Sequence, residues 1–158
     1  MASWIVVLVV LALMGSVFWI VPSARDRQRM RLRQLAMREG LKVRVPDKAL
    51  KERLVRYEDI VLGTMLYESL SFSKRRTAFQ GALYILKEEG GSWVFTDQSV
   101  PAGVDREAVF QAMQVLPASC GLAMLTTGSA SVFWNEAGEP EDVEKIKLAL
   151  DRVNHAMV

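Results

Sequence analysis

Apolar and polar residues alternate in two distinct regimes along this chain. From Trp4 to Val21 the sequence reads WIVVLVVLALMGSVFWIV, all apolar or small, with no charge before it. A run without a polar face predicts a helix that is apolar on every side. Its length at helical rise is about 27 Å, close to the roughly 30 Å hydrocarbon core of a bilayer. Trp4 and Trp19 stand near its two ends, where indole rings favour headgroups. Gly15 and Ser16 leave a small notch suited to packing of a membrane helix against a partner helix. Residues 1–22 are therefore expected to form a single transmembrane anchor.

Beyond Pro22 the pattern changes. Residues 23–40 are rich in arginine, with Met30, Leu32, Leu35 and Ala36 as a partial apolar stripe, and predict a basic juxtamembrane helix ending at Gly40. Leu41 to Val45 alternates as a strand does and stops at Pro46. Asp47 to Arg56 suits a short helix in which Leu50, Leu54 and Val55 share a face. Tyr57 to Tyr67 fits either a strand broken at Gly63 or a helix. Lys74-Arg75-Arg76 marks an exposed turn or edge.

Phe79–Leu86 and Ser92–Thr96 predict a hairpin around Glu88-Glu89-Gly90-Gly91. Asp105 is placed to cap a helix reaching about Leu116. Gly121–Thr127 and Ala130–Trp134 read as two strands with a tight connection. Glu139 to Met157 carries Val143, Ile146, Leu150 and Val153 at helical spacing behind Pro140-Glu141-Asp142, a favourable helix start. The whole predicts an N-terminal transmembrane helix followed by a small α+β domain over 41–158. That domain is mostly antiparallel sheet with two or three packed helices, since the regular βαβ alternation is absent.

Charge sharpens this picture. Residues 22–59 hold 12 basic and 6 acidic side chains, whereas 60–158 hold 8 and 12. Arg25, Arg27, Arg29, Arg31 and Arg33 follow the apolar run closely, which by the positive-inside rule orients the N-terminus outward and the domain toward the cytoplasm. The same five arginines are candidate contacts for anionic lipid headgroups. A lone Cys120 fits a reducing compartment.

Chemistry is sparse. His155 is the only histidine and has no nucleophile near it in sequence. Cys120 reads as a small buried residue at a strand start rather than a thiolate. One Cys and one His do not make a zinc site, and Glu136, Glu139, Glu141, Asp142 and Glu144 lack the spacing of an EF-hand loop. No phosphate-binding glycine motif occurs, so neither metal nor cofactor is expected. Topology signalling explains the arginines, and nucleic acid is not an expected partner.

The segments PSARDRQRMRLRQLAMREGLKVRV and VFWNEAGEPEDVEKI resemble small single-pass inner-membrane proteins of gamma-proteobacteria. Those open with an apolar helix, a Pro-Ser-x-x-Arg segment and a Gly-Leu-x-Val strand. The resemblance implies bacterial inner-membrane placement and carries no activity with it. The combined expectation is a membrane-tethered, non-enzymatic accessory, assembly or adaptor protein bound to a membrane protein complex. A lipid-binding surface sensor and an enzyme with an unrecognised site are the alternatives.

Overall fold

The computed structural model describes residues 2–18, 23–71, 81–96, 100–101 and 103–157. The chain divides into two compact units, Met1–Arg31 and Leu32–Val158. Helix α1 of the first unit spans Ala2–Phe18, and every residue from Ser3 to Gly15 is exposed. Helix α2 begins at Ala24 with the Ser23 hydroxyl accepting from the Asp26 backbone N–H at 3.1 Å. The Ser23 hydroxyl in turn donates to Asp26 at 2.6 Å, which holds that carboxyl below its usual range.

The expected transmembrane anchor is corrected here. Among the described residues no helix is long and apolar enough to cross a membrane. Helix α1 has 17 residues, about 26 Å at helical rise. Trp19 to Pro22, counted into the expected span, lie outside the described residues.

The second unit is built on a six-stranded sheet. The strands are β1 (Lys42–Arg44), β2 (Met65–Leu70), β3 (Ala82–Lys87), β4 (Trp93–Phe95), β5 (Cys120–Thr126) and β6 (Ser129–Trp134). Their order across the sheet is β1-β2-β6-β5-β3-β4, and every neighbouring pair is antiparallel. This is an α+β domain with helices on both faces. Side chains alternate across each strand, so adjacent residues face opposite layers. Tyr67 and Trp134 thus enter one core while their neighbours Leu66 and Phe133 enter the other.

The larger core lies under the end of α2 (Ala24–Arg38), α5 (Arg106–Met113) and α6 (Pro140–Ala156). Leu32 and Ala36 of α2 are buried in it, as are Val143, Ile146, Leu150 and Val153 of α6. Helix α5 starts where the Asp105 carboxylate accepts from the Ala108 backbone N–H at 3.1 Å. Helix α6 starts where Glu139 N–H donates to Asp142 at 3.1 Å, with Pro140 supplying a first-turn residue that needs no N–H partner.

The opposite face is covered more thinly. Helix α3 (Lys48–Arg53), a single 3₁₀ turn (Val55–Tyr57) and helix α4 (Glu58–Val61) lie against Leu66, Leu122, Met124 and Phe133. The Asp47 carboxylate caps α3 by accepting from Leu50 N–H at 2.7 Å. The ambiguous stretch from Tyr57 to Tyr67 is neither strand nor helix throughout. It contains the end of the 3₁₀ turn, α4, a turn at Gly63 with φ +73, and the start of β2. The expected turn at Lys74-Arg75-Arg76 and Phe79 of the hairpin lie outside the described residues.

Candidate functional site

Two features stand apart from ordinary packing. The first is a groove on the α3–α4 layer, lined by Lys48, Lys51, Glu52, Leu54, Val55, Glu58, Val61 and Leu62, with a volume of about 220 Å³. Helix α3 stops after Arg53, and the chain tightens into the 3₁₀ turn. That change of pitch separates three residues expected to share one face. Leu54 is buried and Leu50 half-buried, but Val55 is 62% exposed. The same thing happens at α4: Val61 is buried while Leu62, carried outward by the Gly63 turn, is 72% exposed. Two branched apolar side chains therefore stand in solvent above an apolar floor.

The rim of the groove is charged with both signs. Lys48 pairs with Glu52 at 3.8 Å along α3. Lys51 of α3 and Glu58 of α4 have no ion-pair partner among the described residues. The layer is seated by a close approach to the sheet. A Cβ at Gly121 of β5 would lie 2.7 Å from Ile60 Cγ2 of α4. Only glycine leaves room there, next to the irregularity in the β5–β6 register between Cys120 and Leu122.

The second feature is a charged knot in the larger core. Arg33 of α2 donates through Nε to Glu136 Oε1 at 2.6 Å and through Nη2 to Oε2 at 2.7 Å. The Tyr67 hydroxyl donates to the same Oε1 at 2.9 Å. The Glu136 side chain is only 3% exposed, and its backbone has φ +59. It is the only non-glycine residue with positive φ among those described. Tyr67 also meets Trp134 edge to face at 5.2 Å. Burial, then the Glu136 charge and hydrogen bond, push the Tyr67 hydroxyl far above the usual tyrosine range. The knot ties together α2, β2 and the loop after β6; its groups hold the fold rather than present a reactive atom.

The sequence-predicted site residues scatter. Arg25, Arg27 and Arg31 are exposed, Arg29 is half-buried, and Arg33 turns onto Glu136 instead of outward. Gly15 is exposed with open space around it; the Ser16 side chain lies outside the described residues. Glu136 parts company with the carboxylates at the head of α6. There Asp142 pairs with Lys145 at 2.8 Å, which lowers the Asp142 pKa and raises that of Lys145.

Cys120 opens β5 fully buried, and desolvation pushes its thiol up out of the nucleophilic range. His155 is exposed, with Nδ1 2.6 Å from the Asp151 carbonyl, and borders an open cleft with Asp105, Gln111 and Arg152. Among the described residues no group of three or more His, Cys, Asp or Glu is placed to hold a metal. Sequence reasoning missed Lys51, Val55, Glu58 and Leu62. Their only signal was two apolar positions flanked by charge in a stretch of mixed periodicity.

No family model, curated protein or solved structure matches the chain. The resemblance to gamma-proteobacterial single-pass proteins is thus corrected, having neither a matching relative nor a spanning helix among the described residues behind it. The same finding removes the basis for inner-membrane placement with a cytoplasmic domain, because a positive flank orients only a segment that spans. It also removes the basis for a membrane-tethered accessory or lipid sensor, and for a membrane complex or lipid headgroups as partners.

Proposed function

We propose that this chain works by association, as an α+β domain that binds a polypeptide in the α3–α4 groove. The observation that carries this reading is the paired exposure of Val55 and Leu62 over the buried floor of Leu54 and Val61. Exposed aliphatic residues scattered singly are ordinary, but two that wall one concave apolar surface favour burial by a partner. The charged rim supplies orientation, and the apolar floor supplies most of the driving force.

The rigidity of the layer supports the same reading. Ile60 sits directly on the Gly121 backbone and Asp47 caps α3, so the groove is held open before anything binds. A preformed surface loses less conformational entropy on association.

Accessibility of Leu62 in the cell tests this. In a Cys120→Ser background Leu62→Cys is expected to resist a membrane-permeant maleimide inside cells and to react once the protein is denatured. Leu148→Cys, at an exposed position on α6, provides the unprotected reference. Equal labelling of the two cysteines in cells would contradict an occupied groove.

A further inference from the structure

The groove is self-complementary, and we propose that its occupant is a second copy of this chain related by a two-fold axis through Val55. The inference rests on the groove reading above and names the partner. Lys51 and Glu58 flank Val55 in sequence and line the groove from α3 and α4 respectively. Both are without an ion-pair partner among the described residues. In a two-fold interface, a contact from one residue to another is repeated in reverse. An axis at Val55 brings Lys51 of each copy toward Glu58 of the other, forming two equivalent pairs. Val55, on the axis, is then covered by its own counterpart, and Leu62, off the axis, by a different part of the partner's groove.

Charge balance argues for a copy over an unlike partner. Lys48 and Glu52 already neutralise each other within α3. Among the groove-lining residues one cation and one anion remain, so the linings of two such surfaces do not repel. A strongly acidic or basic partner would satisfy one of them and oppose the other. The groove is small, so the pairing belongs to the weaker class of interfaces and depends on concentration.

Cross-linking in cells that make the full-length chain tests the proposal. Val55→Cys, in a Cys120→Ser background, is treated with a short permeable bismaleimide. A dimer-sized product is expected from Val55→Cys and not from Leu148→Cys. Lys51→Glu should lower the yield about three- to tenfold, since it turns two attractive exposed pairs into repulsive ones. Adding Glu58→Lys to Lys51→Glu should restore the yield, because the reversed pair is again complementary. Circular dichroism of each variant establishes that it folds.

A failure of the folded double variant to restore the product would overturn the proposal. So would an absence of dimer from Val55→Cys. If Leu62→Cys stays protected in that second case, the groove is occupied by a different polypeptide and only the second copy is excluded. If Leu62→Cys is also freely labelled, the groove reading fails with it.

Discussion

Arg33 and Glu136 are 103 residues apart in sequence and meet through two parallel hydrogen bonds of 2.6 and 2.7 Å. Such fork-to-fork geometry is the strong form of the arginine–carboxylate contact. It locks the end of α2 to the loop that leaves β6. Removing Arg33 would take two charge-assisted hydrogen bonds from a buried carboxylate. Arg33→Met is expected to cost about 3 kcal/mol, the low end for a broken buried pair, because the Arg33 side chain keeps 35% of its surface in water. Adding Glu136→Gln should recover part of that loss, since a neutral amide then replaces the buried carboxylate that lost those bonds. Urea unfolding of both variants measures the two terms.

The backbone at Glu136 carries its own cost. At φ +59 a side-chain Cβ crowds the following carbonyl. Glu136→Ala and Glu136→Gly both lose the carboxylate, so their difference isolates the backbone. The glycine variant is expected to be more stable than the alanine variant by about 1 kcal/mol. An alanine variant of equal or greater stability would show that this conformation is unstrained.

Gly121→Ala should disturb the groove from beneath. The added methyl meets Ile60 Cγ2 at 2.7 Å, so the Ile60 side chain, or α4 with it, must shift to admit it. A loss of about 1–3 kcal/mol is expected, in the range of overpacked cores. Ile60→Ala in the same chain should restore part of it by opening space. Melting temperatures of the single and double variants check the coupling.

Tyr67 makes the domain sensitive to alkali. Its hydroxyl has a folded-state pKa raised by burial first and by Glu136 second. A raised folded value means that the stabilisation is full below the unfolded value of about 10 and declines as pH rises past it. Stability should therefore fall above that pH in the native chain. Tyr67→Phe, less stable at neutral pH for want of the hydrogen bond to Glu136, should show a shallower decline.

Much of the sheet was legible because its residues obey one local rule at a time. Ser129 to Trp134 and Cys120 to Thr126 are short apolar runs around Gly128, and both form strands near the expected bounds. Helix α6 joins a periodic apolar stripe to Pro140 and an acidic first turn, and it forms at Pro140–Ala156. The α3–α4 layer was harder to read. Its geometry turns on a helix that stops after Arg53 and on a turn at Gly63, neither of which leaves a periodic trace.

The contacts that matter most were not local. Nothing around Glu136 in sequence announces Arg33 or Tyr67, and the arginine ladder gave Arg33 the same character as its neighbours. Only the docking of α2 singles it out, by burying Leu32 and Ala36 on the side from which Arg33 reaches inward. The apolar opening segment misled for a related reason. Composition alone set the expected span, and among the described residues no helix is long and apolar enough to cross a membrane.

The most direct test of the account is the maleimide labelling rate of Leu62→Cys in the purified full-length chain, measured over a wide range of protein concentration. The rate, taken relative to that of Leu148→Cys, is predicted to fall as concentration rises and to recover in the Lys51→Glu variant. A ratio that stays constant at every concentration would contradict a groove covered by a second copy.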